Sequence, residues 1–293
     1  MYLSSSITVI IPTYNRAGII SKAIISALEQ SIPPIEVLVV DDGSSDQTVS
    51  IVQAFPDQRV RCIAMGINRG AQFARIIGIK EAQGDYIVFL DSDDELLPFS
   101  FERRLQALRD SGWPAALVYG DVIRSGKLVA FERCKGNVYP YLLKELSLCT
   151  YSVMMIPISC FAVAGLPDHD FPSWQDDDMV LTIGKHFPVL HCGSPVATMT
   201  GSGISQNIGA ILAGCRMIVS KYADEIIVAH GSFRLMCWRL RIVRHEVIFK
   251  WCEVRLRLRE SVAYQDLLLF FVLTVVRVVV KIALKPFFKH IYV

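Results

Sequence analysis

The sequence has no C-x-x-C pair, no G-x-x-x-x-G-K-[ST] loop, no G-x-G-x-x-G after a strand pattern, and no uncharged apolar run near the ~20 residues that span a bilayer. Each absence removes a class. Eight cysteines scattered along 293 residues build neither a zinc ribbon nor a disulfide scaffold. No secretory signal precedes the first strand pattern at Ile7, so these cysteines are expected as free thiols in a reducing cytoplasm. His191-Cys192 has no companions to complete a tetrahedral zinc site and reads as buried structure. Without a phosphate loop or dinucleotide fingerprint, a bound phosphate must be neutralised by another device. The lack of several transmembrane runs argues against a processive synthase that extrudes its own product.

The net charge of +2 conceals an asymmetry: residues 234–293 carry a net +8, and residues 1–233 a net −6. The basic segment is also apolar. Arg234–Arg259 interleaves charge with Leu235, Trp238, Leu240, Val243, Val247, Trp251, Val254 and Leu258, the pattern of one or two amphipathic helices. Leu267–Val276 is apolar apart from Thr274, and Arg277 and Lys281 lie one helical turn apart. A helix lying in an anionic membrane interface is the favoured reading, with a soluble helical hairpin on the catalytic domain or in a dimer as the other. Nucleic acid is not expected, since it calls for a basic patch with stacking aromatics and no long apolar run.

Between Asp85 and Glu95 a short β-forming run ends in Asp91, Asp93 and Asp94. Carboxylates so close repel and raise one another's pKa unless a cation sits among them, and hard oxygen donors suit magnesium or manganese better than zinc. Upstream, strand patterns at 7–11, 36–40 and 59–64 alternate with helical patterns at 19–30, from about 47, and 71–83. This predicts an α/β fold, a mostly parallel sheet with helices on both faces. Ligands of such sheets bind at the carboxyl ends of the strands, where Thr13, Asp41, Asp42, the loop around Asn68, Asp91 and Asp93 all fall. With Arg69 and Arg75 as cationic helpers, a metal on the acidic tip fits a nucleoside diphosphate. Asp46 is expected to cap the helix that follows it.

Four stretches carry a resemblance: Val9-Ile-Ile-Pro-Thr-Tyr-Asn-Arg16, Val39-Val-Asp-Asp-Gly-Ser-Ser-Asp46, Asn68-Arg-Gly70 with Ala74-Arg75, and Tyr86-Ile-Val-Phe-Leu-Asp-Ser-Asp-Asp94. In order and spacing, over about the first 115 residues, the chain resembles glycosyltransferase family 2, enzymes of GT-A fold that use nucleotide-sugar donors. Ile76 departs from the Asn that the family often has there. The resemblance implies that Pro12, Thr13, Tyr14, Asn15, Asn68, Arg75 and Ser92 belong to the donor pocket and that Asp42, or its neighbour Asp41, faces the base. It also implies that Asp91 and Asp93 handle the ribose and the metal-bound diphosphate, Asp93 being the first metal ligand and Asp91 the second.

Past Trp113-Pro114 the pattern changes to a strand at 116–119 and short apolar pieces broken by Gly and Pro, expected as the acceptor side. Family members carry a Glu-Asp or Gln-Asp pair at a helix start whose Asp is the general base. Here Trp174-Gln-Asp-Asp-Asp178 puts Asp176 in register, with Asp177 the next candidate. Three Asp at a helix start also complement its dipole. The loop Gly201-Ser-Gly-Ile-Ser205 is expected either to close over the donor or to act as a surface linker.

The expected organisation is therefore a Rossmann-like nucleotide-sugar-binding half of a GT-A domain (1–115), an acceptor half with the base (116–215), and a helical membrane-associating tail (216–293). The expected activity is inverting, metal-dependent transfer of a hexose from a UDP donor to a polyprenyl-diphosphate-linked saccharide. The setting is bacterial surface-polysaccharide synthesis, O-antigen or capsule, at the cytoplasmic face of the inner membrane. A nucleotidyltransferase would show a glycine-rich phosphate loop in place of Pro12-Thr-Tyr-Asn15; a catalytically silent nucleotide-binding subunit docked to a membrane partner is the remaining alternative.

Overall fold

Ile7–Thr13 forms β1, and all seven of its residues are buried. A strand apolar on both sides needs cover on both faces, as in the core of an α/β sheet. Two helices supply it by packing against β1. The first is α1 (Ile20–Leu28), which buries Ile20, Ala23, Ile24 and Ala27 at helical spacing. After it come β2 (Glu36–Asp41), entirely buried, α2 (Thr48–Gln53) and β3 (Val60–Ala64). The second is α3 (Ala71–Glu81), which approaches so closely that a Cβ on Gly78 would lie 2.5 Å from Ile10 Cγ2.

The computed structural model describes residues 5–199 and 207–258, with backbone alone for 245–258. After α3 come β4 (Tyr86–Phe89), β5 (Asp94–Leu96), α4 (Ser100–Ser111), β6 (Leu117–Arg124), β7 (Lys127–Val129), β8 (Lys135–Gly136) and α5 (Tyr139–Glu145). Then follow β9 (Met155–Pro157), α6 (Ser159–Ala164), α7 (Gln175–Gly184) and β10 (Val189–Met199). They form one sheet in the order β3-β2-β1-β4-β9-β6-β10-β5, with β7 on β6 and β8 on β10. β9 is antiparallel to both β4 and β6, so β1, β2, β3, β4, β6 and β10 run in one direction. The sheet is thus mostly parallel, as expected, and it continues across position 115 without a break.

β5 pairs antiparallel with β10, Asp94 opposite Met199, so the chain is pinned immediately after Asp93. A second anchor is buried. Arg104 on α4 donates to the carbonyls of Val153 (3.2 Å) and Met154 (3.0 Å) and to Ser100 Oγ (2.7 Å). Burial lowers its pKa to about 10, a cost held down because its donors meet carbonyl and hydroxyl oxygens. The segment that Arg104 fixes carries Ser152, which accepts from the Asp91 N–H (3.1 Å) and donates to Asp94 Oδ2 (2.6 Å). His191 is structural, as expected. Its Nδ1 accepts from the Gly193 N–H (2.9 Å), which leaves the hydrogen on Nε2 to meet Asp121 Oδ1 at 2.9 Å.

The chain divides between Ile204 and Ser205 into two compact units. The second contains α8 (Ile208–Lys221), which spans position 216, and α9 (Ala223–Leu258), broken at Gly231 (φ 79°, ψ 164°). Asn207 caps α8 by accepting from the Ala210 N–H at 3.0 Å. In α9 the buried residues Leu235, Trp238 and Ile242 recur at helical spacing, while Val228 and Phe233 are exposed. No described helix is long and apolar enough to cross a membrane. The loop 201–205, the run 267–276, Arg277 and Lys281 lie outside the described residues. Cys62, Cys134, Cys149, Cys160, Cys192, Cys215 and Cys237 are free thiols.

Candidate active site

A cleft of about 370 Å³ opens over the carboxyl ends of β1, β2 and β4, lined by Pro12, Thr13, Tyr14, Arg16, Asp42, Asn68, Gly70, Ala71, Arg75, Asp91, Ser92 and Asp93. Nine of the thirteen residues that the family resemblance assigns to the site meet here. Thr13 ends β1; its carbonyl accepts from the Asp42 N–H (2.8 Å), and its buried Oγ1 has no partner among the described residues. Tyr14 is 45% exposed, so its ring is not packed under the loop.

Asp42 is buried, and its carboxylate accepts from the N–H groups of Arg69 (2.7 Å) and Gly70 (2.8 Å). It therefore fixes the loop that carries Asn68 into the cleft. Gly70 (φ 93°) immediately precedes α3, so the positive end of that helix dipole faces the cleft through Gly70 and Ala71.

The acidic tip separates into three environments. Asp91 Oδ1 accepts from Arg75 Nη2 at 2.6 Å, Asp93 Oδ2 lies 3.6 Å from Arg16 Nη2, and Asp94 is buried on Ser152. Repulsion among the carboxylates is thus met by two guanidinium groups and a hydroxyl. Arg75 is buried, its guanidinium 3.9 Å above the Tyr151 ring, and its Nη1 donates to Gln175 Oε1 at 3.0 Å. Burial, the largest single influence, opposes the charge, but Asp91, Tyr151 and Asp176 together outweigh it and the Arg75 pKa lies above its ordinary value.

Four predicted residues do not line the cleft. Asp41 is buried under its own turn, accepting from the N–H (2.8 Å) and the hydroxyl of Ser44, so of the pair Asp42 is the one at the cleft. Asn15 (φ 52°) ties the β1 loop to the β2 loop, with Oδ1 accepting from the Ser45 N–H (2.9 Å). Short polar side chains tolerate that left-handed backbone. Asp176 and Asp177 open α7. Asp176 is partly exposed; its pKa is raised by burial and by Asp91 and lowered by Arg75, which puts it in the field of the Arg75–Asp91 pair. Asp177 is buried, held by the Ser147 side chain and the Leu148 backbone, and its pKa is pushed well up by burial and then by Asp176.

Arg16, Gly70 and Ala71 were not among the expected site residues, although Arg16 closes the same motif as Thr13. Arg69, expected as a cationic helper, instead places its guanidinium 3.6 Å above the Phe73 ring. Asp46, expected as the cap of α2, lies one residue before the N-cap, Gln47, which makes no side-chain cap bond; from there it accepts from the Thr48 N–H at 2.9 Å and from the Ala17 N–H at 3.1 Å. A separate group, Asp168, His169 and Asp170, brings its side chains within 4.8 Å of one another on the loop before α7.

A cleft of carboxylates and guanidiniums over the carboxyl ends of parallel strands, in a sheet that runs on into a mixed half, is GT-A architecture. The profile of glycosyl transferase family 2 matches residues 8–162, more than half of the chain. The chain is 43% identical over 117 residues to the succinoglycan biosynthesis protein ExoO of Rhizobium meliloti, a match covering 40% of this chain and 34% of that protein. It is 32% identical over 152 residues to WfgD of Escherichia coli, named a UDP-Glc:alpha-D-GlcNAc-diphosphoundecaprenol beta-1,3-glucosyltransferase, covering 51% of this chain and 59% of WfgD. The matches therefore span less than two thirds of either relative. S. aureus TarS 1-349 in complex with UDP-GlcNAc shares the fold, with a TM-score of 0.61 at 19% identity over 83% of this chain and 73% of that one. The chain belongs to glycosyltransferase family 2.

Proposed function

We propose that the protein transfers a hexose, with inversion, from a UDP-sugar to a hydroxyl of a polyprenyl-diphosphate-linked saccharide in bacterial surface-polysaccharide synthesis. The observation that carries this reading is the convergence of Thr13, Asp42, Asn68, Arg75, Asp91 and Asp93 on one cleft, with Asp176 in the field of Arg75 and Asp91. The names of WfgD and of the TarS complex support a UDP-linked donor, and that of WfgD a lipid diphosphate acceptor.

In this reading Tyr14 and Asp42 flank the nucleotide and Arg16 and Arg75 face its diphosphate, together with the α3 amino terminus. Asp93 and Asp91 are hard oxygen donors at the mouth of the cleft, and the exposed 3.6 Å pair of Asp93 with Arg16 is loose enough to yield to a cation, so the residues fit Mg²⁺ or Mn²⁺. Such an ion supplies neutralisation of the diphosphate charge. Asp176 removes the proton from the attacking acceptor hydroxyl. Its raised pKa brings it closer to operating pH, where a base is most effective. Arg16 and Arg75 stabilise the negative charge that develops on the departing UDP.

The basic, apolar C-terminal segment supports peripheral attachment to the cytoplasmic face of the inner membrane, beside such an acceptor. The test uses the full chain in mild detergent with a panel of nucleotide sugars, a lipid-diphosphate saccharide acceptor, and Mn²⁺, Mg²⁺ or EDTA. One UDP-hexose should be consumed only with metal, Asp93→Ala should lose donor binding, and the chain should bind anionic vesicles in a salt-sensitive way. If no donor is bound or consumed under any metal condition, the reading fails.

A further inference from the structure

α7 begins with no side-chain cap hydrogen bond from its N-cap residue. That residue, Trp174, has left-handed backbone (φ 64°). Beside it, Gln175 is held at three atoms. Its Oε1 accepts from Arg75 Nη1 (3.0 Å), its Nε2 donates to the Phe171 carbonyl (2.8 Å), and its carbonyl oxygen lies 3.0 Å from the Tyr151 hydroxyl. The same Tyr151 ring supports the Arg75 guanidinium, and the other arm of that guanidinium holds Asp91 at 2.6 Å.

Tyr151 has one hydrogen, yet its oxygen lies within 3.0 Å of two acceptors, Gln175 O and Gln72 Oε1, while the buried Gln72 Nε2 has no partner. Exchanging the Gln72 amide nitrogen and oxygen resolves the conflict at Tyr151: Gln72 Nε2 donates to Tyr151, and Tyr151 donates to the Gln175 carbonyl. Gln72, Tyr151 and Gln175 then form a chain of donors and acceptors that ends one residue before Asp176.

We propose that Tyr151 and Gln175 are positioning residues, which with Arg75 tie the donor-side carboxylate Asp91 to the first turn of α7 and so hold Asp176 at a fixed place relative to the donor. The proposal rests on the reading of Asp176 as the base. Neither Tyr151 nor Gln175 lines the cleft, so their effect falls on the geometry of transfer and not on donor contact. A displacement of about 1 Å at a reacting group costs on the order of 100-fold in rate.

The test compares wild type, Tyr151→Phe, Gln175→Ala and Gln175→Glu as full chains, measuring UDP binding, donor KM, kcat for transfer and melting temperature. Tyr151→Phe keeps the ring under Arg75 and loses only the hydroxyl. It and Gln175→Ala should lower kcat roughly 10- to 100-fold, with UDP binding and donor KM near wild type. Gln175→Glu keeps an oxygen on Arg75 and should recover most of the kcat lost in Gln175→Ala. Wild-type kcat in both Tyr151→Phe and Gln175→Ala, or UDP binding lost in step with kcat, overturns the proposal while leaving the assignment of Asp176 standing. If Gln175→Ala fails to fold, Tyr151→Phe decides alone. A wild type that turns over no donor removes the reading and the proposal together.

Discussion

Asp176 and Asp177 are neighbours in the sequence, and the first turn of α7 gives them different surroundings. Asp176 is partly exposed in the field of Arg75 and Asp91, whereas Asp177 is buried against Ser147 and Leu148. A run of three Asp at a helix start has no internal phase marker, so only the family register placed Asp176 ahead of Asp177. The buried partner has a consequence for stability. A carboxyl whose folded pKa is raised binds its proton more tightly in the folded state, so its contribution is most favourable at low pH and is lost as pH rises through the folded value. Asp177→Asn should therefore raise the melting temperature at pH 8, by roughly 2–4 °C for a gain near 1 kcal/mol, and change it little at pH 4. Thermal melts at the two pH values check this; equal shifts would contradict the assignment of Asp177 as a destabilising buried acid.

The turn after β2 works as a unit. Asp41 holds Ser44, Asp42 holds the N–H groups of Arg69 and Gly70, and Gly43 follows them with φ 79°. A Cβ on Gly43 would sit 2.8 Å from both Asn68 N and Ile67 C, backbone atoms that cannot step aside. Gly43→Ala should cost about 1–3 kcal/mol and weaken UDP binding by displacing the loop that brings Asn68 into the cleft. Denaturant melts and UDP titration measure the two effects. β1, β2, β4 and α3 were legible from their patterns because apolar strands alternate there with polar loops and an amphipathic helix. β5 and β9 were not. Each is three residues long, and each owes its extended form to partners distant in sequence, β10 for the first and β4 and β6 for the second. Asp41 and Asn15 were misplaced at the cleft for a related reason: a motif marks a turn, but which side chains hold it and which face the ligand depends on backbone conformation.

Across the whole molecule, an acidic unit built on one sheet is followed by a helical unit whose sequence carries the positive charge. The cleft lies at the carboxyl ends of the parallel strands, and α7 brings a carboxylate toward it from the mixed half of the same sheet. The residues that meet at the cleft were therefore legible as a set, while the links from the cleft to α7 were not, since Arg75, Tyr151 and Gln175 are far apart in the chain and none of their spacings signals contact. The central claim is that Asp176 is the base on which transfer depends. The most direct measurement is UDP binding and sugar transfer by Asp176→Ala beside Asp177→Asn. Asp176→Ala should bind UDP like wild type and lose transfer by roughly 100- to 10,000-fold, while Asp177→Asn still transfers; substantial transfer by Asp176→Ala would rule Asp176 out as the base.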